Sequence, residues 1–247
     1  MRPVVKPLPG ETVTYLNSRD EMVTHVVLQD YSSYGSAKDP LVACIGLFCS
    51  DCENDKDIED LEVEHVSPRS RGGSLTAWEN YLLSCKVCNT LKGTTLIDPD
   101  NYHLPHLNNT YLSYVYDCGG RIMVNPALTG FSKQKAENLY DALKMGRYPH
   151  TNECPSDRDF RWKNRYEAWN EAEDLRRKYE SSSITSQEIV KRARDKGCWS
   201  VWFTVFKGCD EVRKALIEGF KGTCDTCFDV NNHYEPVPRN PGEADEV

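Results

Sequence analysis

The segments Phe48-Cys-Ser-Asp-Cys52 and Ser84-Cys-Lys-Val-Cys-Asn89 each contain a Cys-x-x-Cys pair. One such pair can supply two corners of a tetrahedral Zn²⁺ site, and two pairs can supply all four. The alternative is four buried free thiols, because cysteine is often simply a buried apolar residue. Two pairs at this spacing favour the metal. We therefore predict a structural zinc on Cys49, Cys52, Cys85 and Cys88.

The residues between the two pairs predict two strands and a helix. The segment Leu61-Glu-Val-Glu-His65 alternates with the period of a strand, and Pro68 ends it. Residues 71–74, Arg-Gly-Gly-Ser, are typical of a turn. A second short apolar run, Tyr81-Leu-Leu83, suits another strand. The segment Lys86 to Lys92 then opens a helix, so the predicted order is strand, loop, strand, helix.

This segment also carries polar residues that a structural zinc site does not need. Phosphodiester hydrolysis requires a base for water and a cation at the phosphate. An imidazole such as His65 can act as a base near neutral pH. Glu64 and Asn89 offer the oxygen ligands that Mg²⁺ or Mn²⁺ prefers, and Asn80 is suited to hold the loop after His65. On a regular strand Glu64 and His65 face opposite sides, so one shared site requires the strand to kink or end there, and residues 66–68 are placed to do that.

Together these residues resemble the HNH endonuclease motif on its ββα-metal fold. The resemblance implies that His65 is the general base and that Asn80 positions it. It also implies that Glu64 and Asn89 bind the catalytic Mg²⁺ or Mn²⁺, beside a structural zinc on the four cysteines. The chain departs from the motif in two places. Asn89 stands where the family's name implies His, and Glu64 stands where many members carry Asp.

The flanking segments are similar to a narrower group, the bacterial stand-alone HNH proteins of Septu-like antiphage systems. The similarity rests on Arg2-Pro3-Val4, on residues 77–83 (Ala-Trp-Glu-Asn-Tyr-Leu-Leu) and on residues 199–206 (Trp-Ser-Val-Trp-Phe-Thr-Val-Phe). Some of those proteins are encoded beside an ATPase. This resemblance implies an ATPase partner and a role in antiviral defence.

Composition limits the other possibilities. The chain has 247 residues, a formal net charge of −8, and no apolar run long enough to cross a membrane. The proline-rich start lacks the apolar core of a secretory signal, and the Cys-x-x-Cys pairs favour a reducing compartment. We expect a cytoplasmic protein without a membrane partner. The acidity counts against broad electrostatic capture of nucleic acid, although basic residues gather at 158–165, 176–178 and 191–196.

Several residues outside the motif core have two interpretations. Lys92 follows the metal helix closely enough to contact a substrate phosphate. His103 and His106 are interpreted as solvated loop histidines. Cys224-x-x-Cys227 is a lone pair, which is weak evidence for a second metal, so both residues are interpreted as buried thiols.

The rest of the chain predicts a hairpin followed by helices. Two strand-like runs flank a Gly-Gly turn within residues 111–124. Helices are predicted at about 132–145, 157–179, 185–197 and 210–219, while the type of 199–206 stays open. The helix over 157–179 has an apolar stripe at helical spacing, interpreted as core: Trp162, Tyr166, Trp169, Ala172, Leu175 and Tyr179.

We predict an α+β protein with a small zinc-stapled ββα-metal HNH unit and a mainly helical C-terminal region. The predicted divisions are an irregular arm over 1–40, the HNH unit over 41–100, a hairpin plus helical region over 101–228, and a mobile acidic tail over 229–247. The predicted function is metal-dependent cleavage of nucleic acid, with DNA favoured over RNA. The alternatives are a non-catalytic zinc module that docks a partner, and an RNA-cleaving toxin.

Overall fold

The computed structural model of the protein describes residues 1–242, 245 and 247. Its helices and small sheets form an α+β fold, as predicted. The strands of the described part pair as antiparallel hairpins: β1 (Thr12–Leu16) with β2 (Met22–Val26), β3 (Leu61–His65) with β4 (Tyr81–Cys85), β5 (Tyr114–Tyr116) with β6 (Ile122–Val124), and β7 (Phe228–Asp229) with β8 (Glu235–Pro236).

The helices lie mostly in the second half of the chain. They are α1 (Lys38–Ile45), α2 (Lys86–Lys92), α3 (Thr110–Ser113), α4 (Gly130–Ala142), α5 (Arg161–Glu180), α6 (Ser186–Lys196), α7 (Trp199–Val205) and α8 (Asp210–Gly219). None of these helices combines the length and the apolar character that crossing a bilayer requires.

The predicted order of strand, loop, strand and helix is confirmed. β3 and β4 pair from Leu61 opposite Cys85 to His65 opposite Tyr81. On one face of this hairpin, Leu61 and Val63 are buried with Tyr81 and Leu83. The chain passes from β4 into α2 without a loop, because Cys85 is both the last residue of the strand and the N-cap of the helix. The second cysteine pair therefore spans this junction.

The N-terminal region differs from the irregular arm that we predicted. β1 and β2 form a regular hairpin there, and α1 follows it. Prolines precede the hairpin but do not interrupt either strand. The prolines therefore restrict only the approach to β1, and the prediction extended their effect too far along the chain.

One cluster of buried apolar side chains joins the parts of the chain. It includes the zinc-type cysteines, α1, the hairpin β3–β4 and the C-terminal helices. Arg2 reinforces this connection. The residue is 4% exposed, and its guanidinium packs against the rings of both Phe48 and Phe220 and donates hydrogen bonds to the carbonyls of Ile45 and Lys221. The ββα unit consequently shares its core with the helical region.

The long helix α5 corrects the predicted apolar stripe. Its buried residues are Arg161, Arg165, Ala168, Ala172 and Leu175. The side chain of Tyr166, which we assigned to the core, is 43% exposed. The inward face thus begins with two arginines, which a sequence pattern assigns to solvent.

The last three helices form an aromatic core. The predicted capping box at Thr185 and Glu188 is present at the start of α6. The run whose type was open is helical, and its Trp199 stacks on Phe203 with ring centroids 4.6 Å apart. Trp199, Trp202 and Phe203 are fully buried.

The segment predicted as a mobile acidic tail makes several contacts in its described part. β7 pairs with β8, and Asp245 accepts hydrogen bonds from Ser132 and Lys135. Asp245 also contacts His103, which is fully buried, so the interpretation of His103 as a solvated loop residue is wrong. The acidic residues Glu243 and Glu246 lie outside the described residues, and the mobility of the segment stays a prediction.

Gly197 sets the distance between α6 and the first cysteine loop. It has φ +72°, and a Cβ there would lie 2.5 Å from the backbone nitrogen of Asp55 and 2.7 Å from the carbonyl oxygen of Glu53. Gly208 has a similar φ, +81°, but open space around it. We expect Gly197→Ala to lower the free energy of unfolding by roughly 1–2 kcal/mol more than Gly208→Ala, because both variants carry the strain of positive φ but only one also clashes.

Chemical denaturation of the two variants tests this difference. The strain of positive φ is common to both variants, so it cancels when their free energies of unfolding are compared. Equal destabilisation of the two variants would show that the loop adapts and that the close approach at Gly197 is unimportant.

Candidate functional site

Four cysteine sulfurs meet at the junction of β4, α2 and the loop after α1. The Sγ atoms of Cys49, Cys52, Cys85 and Cys88 all lie within 4.8 Å of one another, and each residue is at most 9% exposed. The loop that carries Cys49 and Cys52 is tied down by backbone hydrogen bonds from Ser50 to Leu83 and from Glu53 to Cys49. The fold therefore brings the two predicted pairs together.

The cluster fits a zinc ion by its dimensions. A Zn–S bond of about 2.3 Å in a regular tetrahedron places neighbouring sulfurs about 3.8 Å apart. The Sγ atoms of Cys52 and Cys85 are 3.8 Å apart. The amide of Cys85 also donates to the Cys49 sulfur at 3.2 Å, which is typical support for a bound thiolate. All eleven cysteines are free thiols, so no disulfide competes for these four.

The protonation of the four thiols also favours a cation. Hydrogen bonds from Cys49 and its neighbours lower the pKa of Cys85, whereas hydrogen bonding to the other sulfurs raises the pKa of Cys88 well above its usual range. One thiolate therefore forms readily, but each further thiolate must form beside a negative charge that opposes it. A divalent cation removes this conflict because all four thiolates can bind it.

Arginines of α5 offset the negative charge of the cluster. Zn²⁺ with four thiolates carries a net charge of about −2. The Nη1 atom of Arg161 lies 3.8 Å from the Cys88 sulfur, and its guanidinium also pairs with Asp159 at 2.8 Å. Arg165 and Cys52 line the same small cavity. The inward position of Arg161 is explained by this charge.

The second part of the site is the face of β3 that α2 covers. Glu64 lies there, 4% exposed, and pairs with the ammonium of Lys92 at 3.0 Å. Burial raises the pKa of Glu64, and the charge of Lys92 opposes that shift. One carboxylate oxygen of Glu64, Oε2, is buried and has no hydrogen-bond partner among the described residues.

Asn89 contacts a carboxylate that the sequence analysis did not single out. Its side-chain amide donates to Glu62 at 2.7 Å. Glu62 lies two residues before Glu64 and therefore on the same face of β3. The face turned toward α2 thus holds two carboxylates and an amide, a set of hard oxygen donors that fits Mg²⁺ or Mn²⁺. The unpartnered oxygen of Glu64 is consistent with that fit.

His65 ends β3 with its ring on the opposite face. The imidazole is half-buried and packs edge-on against Tyr81 at 5.2 Å, with Tyr34 at 5.6 Å between centroids. Its Nε2 lies 3.3 Å from the carbonyl oxygen of Leu75. A carbonyl oxygen only accepts, so this bond requires hydrogen on Nε2. Nδ1 is then the basic nitrogen, and no described residue hydrogen-bonds it.

Asn80 makes the contacts expected of a residue that holds the loop after His65. Its Oδ1 accepts from the amide of Ser67 at 2.7 Å. Its Nδ2 donates to the carbonyls of Ser67 and Ser74. Both ends of the loop are thereby fixed to the start of β4. The role of these bonds in orienting the imidazole stays a prediction.

The structure thus brings some of the predicted site residues together and keeps others apart. Lys92 is 3% exposed and binds both the carboxylate of Glu64 and the carbonyl of His65, so it is an internal counter-ion here rather than the predicted phosphate contact. No described hydrogen bond or ion pair joins Glu64 to Asn89, or the His65 ring to either. Glu64 and His65 point to opposite faces of an unkinked strand.

Comparison of the chain with protein-family sequence models gives a match in this ββα unit. The sequence model of the HNH endonuclease family matches residues 49–95. Over these residues the chain is similar to the HNH endonuclease family. The match begins at the first zinc-type cysteine and ends just beyond α2, so it covers both cysteine pairs and the ββα elements. A comparison with curated proteins found no match for the chain.

The sequence reasoning missed three residues at this site. Glu62 could have been found, because strand alternation places it on the face of Glu64. Tyr34 and Arg161 could not, since they come from segments outside the HNH match and reach it only through the tertiary fold.

Loss of one zinc ligand should remove both the metal and the fold. Structural zinc contributes on the order of 10 kcal/mol, comparable to the total stability of about 5–15 kcal/mol of a folded protein. We therefore expect Cys85→Ser to lose the bound zinc and its cooperative thermal transition. Zinc analysis and thermal denaturation measure both effects. Cys118→Ser, at an exposed cysteine, is the matched control and should keep both. An unchanged melting curve for Cys85→Ser would contradict a structural zinc.

Proposed function

We propose that the protein is an HNH endonuclease that hydrolyses nucleic-acid phosphodiester bonds with a divalent metal ion. The observation that carries the proposal is the HNH match over a folded ββα unit in which His65 is the only histidine. That histidine ends β3 and is partly accessible. The two cysteine pairs hold the strand and helix that carry the polar residues.

In this proposal each residue has a distinct task. Nδ1 of His65 accepts a proton from the attacking water, while Leu75 and Tyr81 hold the ring. Asn80 keeps the loop after His65 in place. Glu64, Asn89 and the newly found Glu62 hold the catalytic Mg²⁺ or Mn²⁺. When bound, such an ion stabilises negative charge on the phosphate and on the departing oxygen.

The loop after β3 offers the substrate contacts that Lys92 does not. Arg69 and Arg71 are exposed, and neither forms an ion pair among the described residues. Tyr34, beside the His65 ring, is 51% exposed. Guanidinium groups bind phosphates, and an exposed aromatic ring can stack on a base. We infer that this loop and Tyr34 contact the strand to be cut.

We further propose DNA as the substrate and antiphage defence, with an ATPase partner, as the biological setting. The defence role and the ATPase partner rest on the sequence resemblance to stand-alone HNH proteins of Septu-like systems. The charge of −8 is consistent with a nuclease that depends on a partner to deliver substrate, because its own field repels phosphate. A cytoplasmic location follows from the reduced cysteines and belongs to the same proposal.

The separation of the site residues favours one alternative, a zinc module that docks a partner without cutting. In the structure Glu64 is neutralised by Lys92, and the His65 ring lies on the other face of the strand. A catalytic role therefore requires the end of β3 to rearrange when metal and substrate bind.

Replacing His65 should abolish cleavage without unfolding the protein. We expect His65→Asn to lower cleavage by at least about 100-fold, since general-base catalysis contributes roughly 10²–10⁴-fold. Plasmid DNA, single-stranded DNA and total tRNA serve as substrates, each with Mg²⁺, Mn²⁺ or chelator. His150→Asn is the matched control, because His150 is exposed and its φ of 62° suits Asn. Wild-type cleavage by His65→Asn would refute its assignment as the base.

Glu62 should contribute to metal affinity. We expect Glu62→Gln to weaken Mn²⁺ binding roughly tenfold, because a carboxylate ligand is replaced by a neutral amide. Titration followed by the electron paramagnetic resonance of free Mn²⁺ measures the affinity. Glu59→Gln, at an exposed position in the turn before β3, should leave it unchanged. Equal affinities for both variants would remove Glu62 from the ligand set.

A further inference from the structure

A second polar cavity lies away from the HNH segment. It has a volume of about 290 Å³ and is formed by the turn and strand at 121–123, the loop over 145–151, and side chains of α4 and α5. Its polar lining consists of three arginines, Arg121, Arg147 and Arg165, with Tyr140, Tyr148 and Thr151. All of these residues lie outside residues 49–95. The HNH domain therefore does not account for the cavity.

The lining carries positive charge that protein carboxylates hardly offset. No Asp or Glu belongs to it in the described part of the chain. Arg121 lies over the ring of Tyr148 at 4.6 Å and forms no ion pair with a described residue. Arg147 reaches Asp159 only at 3.8 Å, and Asp159 makes closer contacts with Arg161.

Arg165 is the strongest single observation. It is 7% exposed, and Nε donates to the carbonyl of Gly120 at 2.9 Å. Its two terminal nitrogens have no acceptor among the described residues. A buried guanidinium without an ionic partner is costly unless a counter-ion reaches it. The zinc thiolates, near Cys52, lie on one side of Arg165, whereas Arg121 and Arg147 share the cavity on the other side.

The chemistry of the lining selects a phosphate group. Guanidinium forks match the oxygens of a phosphate, and several arginines converging on one volume can bind it from different sides. The hydroxyls of Tyr140 and Tyr148 donate to the carbonyls of Ile122 and Gly119, so mainly their rings face a ligand. The volume lies near the lower limit of about 300 Å³ for small-molecule sites, which suits one nucleotide.

We propose that this cavity, the arginine pocket of Arg121, Arg147 and Arg165, binds a phosphate-bearing ligand of about the size of one nucleotide. The ligand is either a free mononucleotide or one nucleotide of a nucleic-acid strand. Both present the same phosphate and an aromatic base that can stack on tyrosine or arginine.

Binding is measured by isothermal titration calorimetry on the full zinc-loaded chain carrying His65→Ala, so that no probe is cut. The probes are inorganic phosphate, a 5′-mononucleotide and a short single-stranded oligonucleotide without a terminal phosphate. Arg121→Gln and Arg147→Gln are the test variants. Arg192→Gln is the control, because it removes the same charge from an exposed position on α6. Thermal denaturation confirms that each variant is folded.

We expect saturable binding of at least one probe, weakened roughly tenfold by Arg121→Gln and by Arg147→Gln but not by Arg192→Gln. Tighter binding of the mononucleotide identifies a free nucleotide, and tighter binding of the oligonucleotide identifies a nucleic-acid strand. Absence of saturable binding to every probe would overturn the proposal, as would an equal loss in the control. The result is independent of cleavage, so it stands or fails separately from the nuclease proposal.

Discussion

The four-cysteine cluster is the interaction on which the rest of the structure depends. It joins the end of β4, the start of α2 and the loop after α1 at one point. The neighbouring helix α5 also faces it, because Arg161 lies 3.8 Å from the Cys88 sulfur and Arg165 lines the same small cavity as Cys52. Gly197 allows α6 to pack directly on the first cysteine loop. A small four-cysteine unit is thereby built into the core of the whole chain rather than attached to it.

The candidate catalytic residues are held by the same ββα unit, but no single contact between described residues joins them. Glu62, Glu64 and Asn89 lie between β3 and α2, while His65 packs with Tyr34 and Tyr81 on the other face. Lys92 connects the two sides, since its ammonium binds Glu64 and the carbonyl of His65. A divalent ion at the carboxylates would compete with that ammonium for Glu64. The proposed active state consequently requires Lys92 and the end of β3 to adjust together.

The sequence predicted the four-cysteine cluster and the ββα order well, because cysteine spacing and strand alternation are local signals. The sequence analysis failed for buried polar and charged side chains whose partners lie far away in the sequence. The inward face of α5 was misassigned because Arg161 and Arg165 are buried beside thiolates that precede them by many residues. His103 was placed in solvent because Asp245, its partner, lies at the other end of the chain. The sequence analysis also passed over Glu62, which accepts a hydrogen bond from Asn89 and lies on the same strand face as Glu64.

X-ray absorption at the zinc edge of the purified full-length chain tests the central claim most directly. If the four cysteines hold one zinc, the spectrum shows a single shell of four sulfurs at about 2.3 Å. A shell containing nitrogen or oxygen ligands, or folded protein without zinc, would contradict the claim that this centre organises the fold.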